Sequence, residues 1–266
     1  MSVSVATSSV QPVGWLRGAT AGLALFLASQ VGFGLAISFV DSEPSGAPVV
    51  GAAVAAAVMA VAVVGSIVIG FEWAFANRLR DMRPFGIARP SRIGSTLAIA
   101  IPSLIVAVIA AGALTSALGL DHGTTNIDTH GLADPNKAFY ALLAIVAAPW
   151  IEEVTVRGLL FSSLERRIGL WPAAVLSGFL WAGAHFVAAV LIVFTAVGAI
   201  LAFIRWRTGS ILIGLILHAM LNTYATAVAP ESGSGAPWYA LGSAALMIVL
   251  IIVAWRWAPR MLRPQR

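Results

Sequence analysis

Glu152 and Glu153 are adjacent, and Arg157 follows the second by four residues, inside a stretch of otherwise mostly apolar side chains. Two later apolar stretches carry Trp181 with His185 and His218 with Asn222, each pair again four residues apart. On a helix, residues four apart share a face, so Glu153 can pair with Arg157 in the favoured order, carboxylate first. Glu152 is turned away by about 100° and keeps its carboxylate for something else. One unpaired carboxylate, two imidazoles and one carboxamide supply a general base and several hydrogen-bond donors. Water-mediated amide hydrolysis needs those groups: a base to deprotonate water, and donors where the oxyanion develops. Singly, each cluster has a plainer use. These are a structural ion pair beside a neutral Glu152, a packing histidine, and interhelical hydrogen bonding.

The elements that must position these residues are transmembrane helices. The chain of 266 residues is 59% hydrophobic and 10% charged, with a mean hydropathy of +0.92. Apolar runs near 20 residues are long enough to cross a bilayer. Eight such segments are predicted, at 18–40, 48–75, 93–118, 137–161, 171–186, 188–205, 210–229 and 237–257, with a tight turn from Phe186 to Ala189. The fold class expected is all-α: a polytopic membrane protein of about eight transmembrane helices. Residues 1–17 read as a cytoplasmic tail, 18–257 as a single transmembrane domain with its chemistry at 137–229, and 258–266 as a basic cytoplasmic tail. The run after Arg17 is too long for a signal-peptide core, so it reads as a retained first helix. Residues 119–136 read as an irregular outer loop, whose His122 and His130 beside Asp121 and Asp128 are taken as solvated. Glu72 reads as satisfied by snorkelling or by Arg78 at a helix end.

Charge placement gives the orientation. With the N-terminus inside, 14 of the 16 basic residues fall on inside pieces. Acidic Asp41, Glu43, Asp121, Asp128, Asp134 and Glu231 fall outside. This positive-inside bias predicts an even number of helices with both ends cytoplasmic. The net charge of +5 is explained by these flanking arginines, and no basic patch with interleaved aromatics points to nucleic acid. The absence of cysteine excludes disulfides, thiolate ligands and a cysteine nucleophile. Gly14, Gly18 and Gly22 form a small-xxx-small row that permits close helix packing.

A carboxylate deep in a bilayer is costly and usually functional. At about 1.5 Å per residue, Glu152 lies roughly 15 Å from a helix end near Ser162, His218 roughly 12 Å from Ser210, and Asn222 roughly 18 Å from it. On the same rise His185 lies roughly 21 Å from Trp171. These depths let the four side chains converge near the midplane.

The three motifs, in this order, resemble the CPBP intramembrane proteases, which include CAAX prenyl endopeptidases and bacteriocin-processing or immunity proteins. Arg207-Thr208-Gly209-Ser210 before the third motif resembles the family too, and the likeness covers roughly residues 137–229. Val156 stands where an aromatic commonly precedes the arginine, and Trp181 where phenylalanine is usual. The resemblance implies a peptide-bond hydrolase in which Glu152 activates water held by His185. It implies that His218 and Asn222 stabilise the oxyanion, while Glu153, Arg157 and Trp181 support the site. Zinc and no metal both stay open. A zinc ion would fall to Glu152, His185 and His218, but no His-Glu-x-x-His helix motif supports one.

The leading expectation is an intramembrane endopeptidase acting on a membrane-associated peptide or protein. Its partner is the lipid bilayer, with no nucleic acid, and its place is the bacterial cytoplasmic membrane. A non-catalytic immunity or interaction protein with the same fold is the alternative. A proton-coupled transporter is a further one, disfavoured because no inverted repeat is evident. The Ala- and Arg-rich, nearly Lys-free composition points to a GC-rich bacterial source, where prenylated substrates are less expected.

Overall fold

The computed structural model describes residues 15–42, 85–120, 134–228 and 238–258. Every expected segment within them is helical, and no β-strand occurs among the described residues. The segment at 48–75 with Glu72 and Arg78, Gly14, and the loop histidines His122 and His130 lie outside them. Helix α1 spans Trp15–Ser42 and α2 spans Ile93–Ala117. A continuous helical run follows: α3 (Asp134–Leu142), a first π segment (Leu143–Ala147), α4 (Ala148–Glu152), a second π segment (Glu153–Phe161) and α5 (Ser162–Ile168). Then come α6 (Leu170–Gly183), α7 (Ala188–Thr208), α8 (Leu212–Val228) and α9 (Trp238–Trp257).

Length and composition suit four described helical stretches to crossing a membrane: Ile93–Ala117, Lys137–Ile168, Val190–Thr208 and Ala240–Trp257. Leu170–Gly183 and Leu212–Thr226 are shorter apolar helices. The chain is an integral membrane protein. Its outward faces carry Ile105, Val106 and Ile109 on α2 and Ile248 and Ile252 on α9, exposed as lipid-facing side chains are.

Lipid tails are as apolar as leucine, so these helices associate by close packing rather than by escape from water. Small residues allow the approach. A Cβ on Gly22 of α1 would come within 2.6 Å of Leu160 N and 2.8 Å of Thr155 O in the second π segment. Gly178 of α6 and Gly198 of α7 meet in the same way, a Cβ on Gly198 lying 2.7 Å from the Gly178 Cα. The core between these elements holds Phe26, Val156, Leu160, Trp181, Leu201 and Ile204.

Four boundaries differ from the sequence expectation. The run holding the glutamates does not end near Ser162 but continues to Ile168, because Ser162 Oγ donates to Arg157 O (3.0 Å) and stays inside the helix. Gly169, at φ 83°, ends it. Helix α6 stops at Gly183, two residues short of His185, and the turn passes through Phe186 at φ 56°. Helix α3 begins at Asp134, inside the stretch read as loop, and α1 begins at Trp15, inside the stretch read as tail.

The Arg207-Thr208-Gly209-Ser210 turn is a clasp. Gly209 takes a left-handed conformation, φ 72°, and its N–H donates to Arg205 O. Ser210 Oγ accepts from Leu212 N–H (3.1 Å), capping α8, and donates to Ala88 O (2.6 Å). Ile211 N–H donates to Gly86 O (2.9 Å). The turn thereby ties the start of α8 to residues 86–88.

Candidate active site

The five residues of α4 lie between two π segments, and Glu152 ends α4 where Glu153 opens the second. π segments are rare, and they recur at functional sites because one extra residue per turn re-aims the side chains beyond it. Pro149 has no N–H to give. In the π register the group it leaves without a donor is Ala144 O, five residues back, since Ala148 N–H reaches Leu143 O. Asn222 Nδ2 on α8 donates to that carbonyl at 2.7 Å.

The two glutamates part company as soon as their contacts are traced. Glu153 and Arg157 are fully buried, with Arg157 Nη1 3.1 Å from Glu153 Oε1. The guanidinium makes no well-directed hydrogen bond among the described residues. It rests over the Trp181 ring, 4.5 Å from the centroid, so the pairing is electrostatic on both sides. His218 Nδ1 donates to the same Glu153 oxygen at 3.1 Å. Glu153 Oε2 points at Gly214, where a Cβ would stand 3.1 Å away.

Glu152 has a different set of partners. Its Oε1 accepts from Gln30 Nε2 (3.1 Å) on α1, and its Oε2 accepts from the Trp181 indole N–H. His218 Nε2 lies 3.7 Å from that Oε2, beyond hydrogen-bond length. A carboxylate oxygen has two lone pairs, so each oxygen keeps acceptor capacity for a further donor such as water.

Trp181 is the hub. Its ring packs edge-on to His185 (5.2 Å) and to His218 (5.4 Å) and stacks on Phe194 (5.4 Å). His185 sits in the turn beyond α6, yet its Nδ1 lies 3.0 Å from Trp181 O. A carbonyl only accepts, which assigns the proton to Nδ1 and leaves Nε2 with its lone pair.

A cavity of about 450 Å³ opens between α1, α2, the α3–α4 run, α6, α7 and α8. Gln30, Glu152, Trp181, His185, His218 and Asn222 all line it, whereas Glu153 and Arg157 stand behind its wall. The structure thus brings all four sequence-nominated polar residues to one chamber. It adds Gln30, which no motif had marked. The signal available was a lone amide at the heart of an apolar helix.

Among the described residues no group of three or more His, Asp or Glu side chains gathers where a metal ion would sit. Glu152 already accepts from Gln30 and Trp181, and His185 Nδ1 is turned to a carbonyl.

The family model described as type II CAAX prenyl endopeptidase Rce1-like matches residues 134–224, the segment that holds all three motifs. The match covers about a third of the chain, and over that segment the chain is similar to the CPBP family. The candidate membrane peptidase YdiL of Bacillus subtilis (strain 168) is 25% identical over 138 residues, which is 50% of this chain and 56% of that protein. The chain thus matches just over half the length of that relative. No solved structure matches. Gln30 lies outside the segment that the family model covers.

Proposed function

We propose that this protein is a CPBP-type intramembrane endopeptidase that cuts a membrane-associated peptide or protein with water activated by Glu152. One observation carries the reading: Glu152 faces a cavity with both oxygens held by neutral N–H donors, while its neighbour Glu153 is paired to Arg157. A buried carboxylate oriented by neutral donors and open to a chamber is placed to act as a base.

Water held by His185 Nε2 loses a proton to Glu152, and the hydroxide attacks the peptide carbonyl carbon. Negative charge moves to the carbonyl oxygen, which Asn222 meets from α8, while His218, its Nδ1 proton given to Glu153, lines the chamber beside it. Asn222 gives one N–H to Ala144 O, and a carboxamide has a second N–H for the substrate oxygen. When the C–N bond breaks, the departing amine takes the proton back from Glu152. Phe33, Leu143, Val193 and Leu221 also line the chamber, which suits an extended apolar segment of substrate. We place the protein in the bacterial cytoplasmic membrane with both termini cytoplasmic, on the arginine bias.

The test compares protein termini in membranes of cells carrying the wild-type chain or Glu152→Gln. New termini made by the wild type should fall by at least about a hundredfold in the variant, the scale of a lost general base. Equal cleavage by a correctly inserted Glu152→Gln protein refutes the mechanism.

A further inference from the structure

The geometry points to Gln30 as a positioning residue for Glu152: α1 completes a site whose other polar members lie on α4, α6, α8 and the turn after α6. Gln30 Nε2 lies 3.1 Å from Glu152 Oε1, across 122 residues of sequence. The amide lines the same cavity as the carboxylate. An amide in an apolar transmembrane helix is unfavourable unless it is bonded, since lipid offers no partner. Its partner here is Glu152, the member of the adjacent pair that Arg157 does not hold.

Two donors are needed to fix a carboxylate. Trp181 holds Oε2, and one contact leaves the group free to rotate about its last torsion, which is broad and nearly two-fold. The Gln30 contact on Oε1 closes that rotation and sets the plane of the carboxylate. The remaining lone pairs then point in fixed directions, and a water bonded to them is held for attack on a substrate. The close approach at Gly22 supports this aim. Two helical turns before Gln30, it brings the α1 backbone against the second π segment. Phe26, fully buried between them, packs in the same core as Trp181.

The rate arm of the test rests on the hydrolase reading, and the structural arm does not. Full-length wild type, Gln30→Met and Gln30→Asn are reconstituted in lipid nanodiscs. Infrared difference spectra then follow the Glu152 carboxyl band, assigned by its loss in Glu152→Gln. Gln30→Met removes the donor at similar volume and should move the band. Gln30→Asn withdraws the amide by one methylene and should move it too, which covers the case of a Met variant that fails to fold. On a substrate verified with the wild type, each variant should lower kcat about tenfold with KM within about twofold, the effect of one lost hydrogen bond to a charged group. A helix-packing role alone would leave the band in place, so an unmoved band in a folded variant overturns the contact. A moved band with unchanged kcat overturns the positioning role. Wild type that cleaves nothing while the band still moves counts against the hydrolase reading and leaves the contact supported.

Discussion

Removing Arg157 tests whether the glutamates really have separate duties. Arg157 and Glu153 are both 0% exposed, with an N–O separation of 3.1 Å. Breaking a buried pair by deleting one partner leaves an uncompensated charge and costs about 3–5 kcal/mol. Arg157→Met also removes the cation over Trp181, while His218 Nδ1 still donates to Glu153. The residual donor places the expected loss at the lower end, about 3 kcal/mol. Glu153→Gln should cost about as much, since it strands the guanidinium. The double variant strands no charge, so its cost should stay near about 3 kcal/mol rather than the sum of about 6, a coupling of about 3 kcal/mol. Unfolding free energies measured by steric trapping in bicelles give all three values. Additive losses, or a single-variant cost below about 1 kcal/mol, refute the pairing.

Other expectations follow from single contacts. Asn222→Leu strands Ala144 O and should destabilise the protein by about 1–3 kcal/mol; adding Pro149→Ala restores a backbone N–H and should recover part of that in the same assay. Gly22→Val should push α1 off the second π segment, lowering thermal stability in detergent and moving Gln30 from Glu152, whereas Gly34→Ala, with open space at its Cβ, should be neutral. Trp181→Phe removes the indole donor to Glu152, so kcat on a verified substrate should fall about tenfold; the smaller buried ring also leaves a void and should lower stability by about 1–3 kcal/mol.

The sequence made the helices legible because apolar runs are the whole signal a membrane helix needs. The separation of Glu152 from Glu153 was legible too, since an i,i+4 partner was visible for only one of them. Gln30 was not: a lone amide has no spacing to read, and its partner is remote in the chain. The extension to Ile168 was hidden by Ser162 and Ser163, which resemble a helix end. A serine hydroxyl that bonds back to its own helix ends nothing. The π segments leave no trace in hydropathy, although Pro149 marked a carbonyl in need of a donor. Asn222 was read as a donor to substrate, and its first bond goes to that carbonyl.

The order in which the chain is made gives the Gln30 contact another meaning. Gln30 emerges early from the ribosome, Glu152 more than a hundred residues later, and His218 and Asn222 later still. No nascent fragment that stops before α8 contains the full polar set. The chamber cannot close before α8 has been made, with α9 still to follow among the described helices. On the proposed function, an unfinished chain therefore holds no complete chamber during its own synthesis.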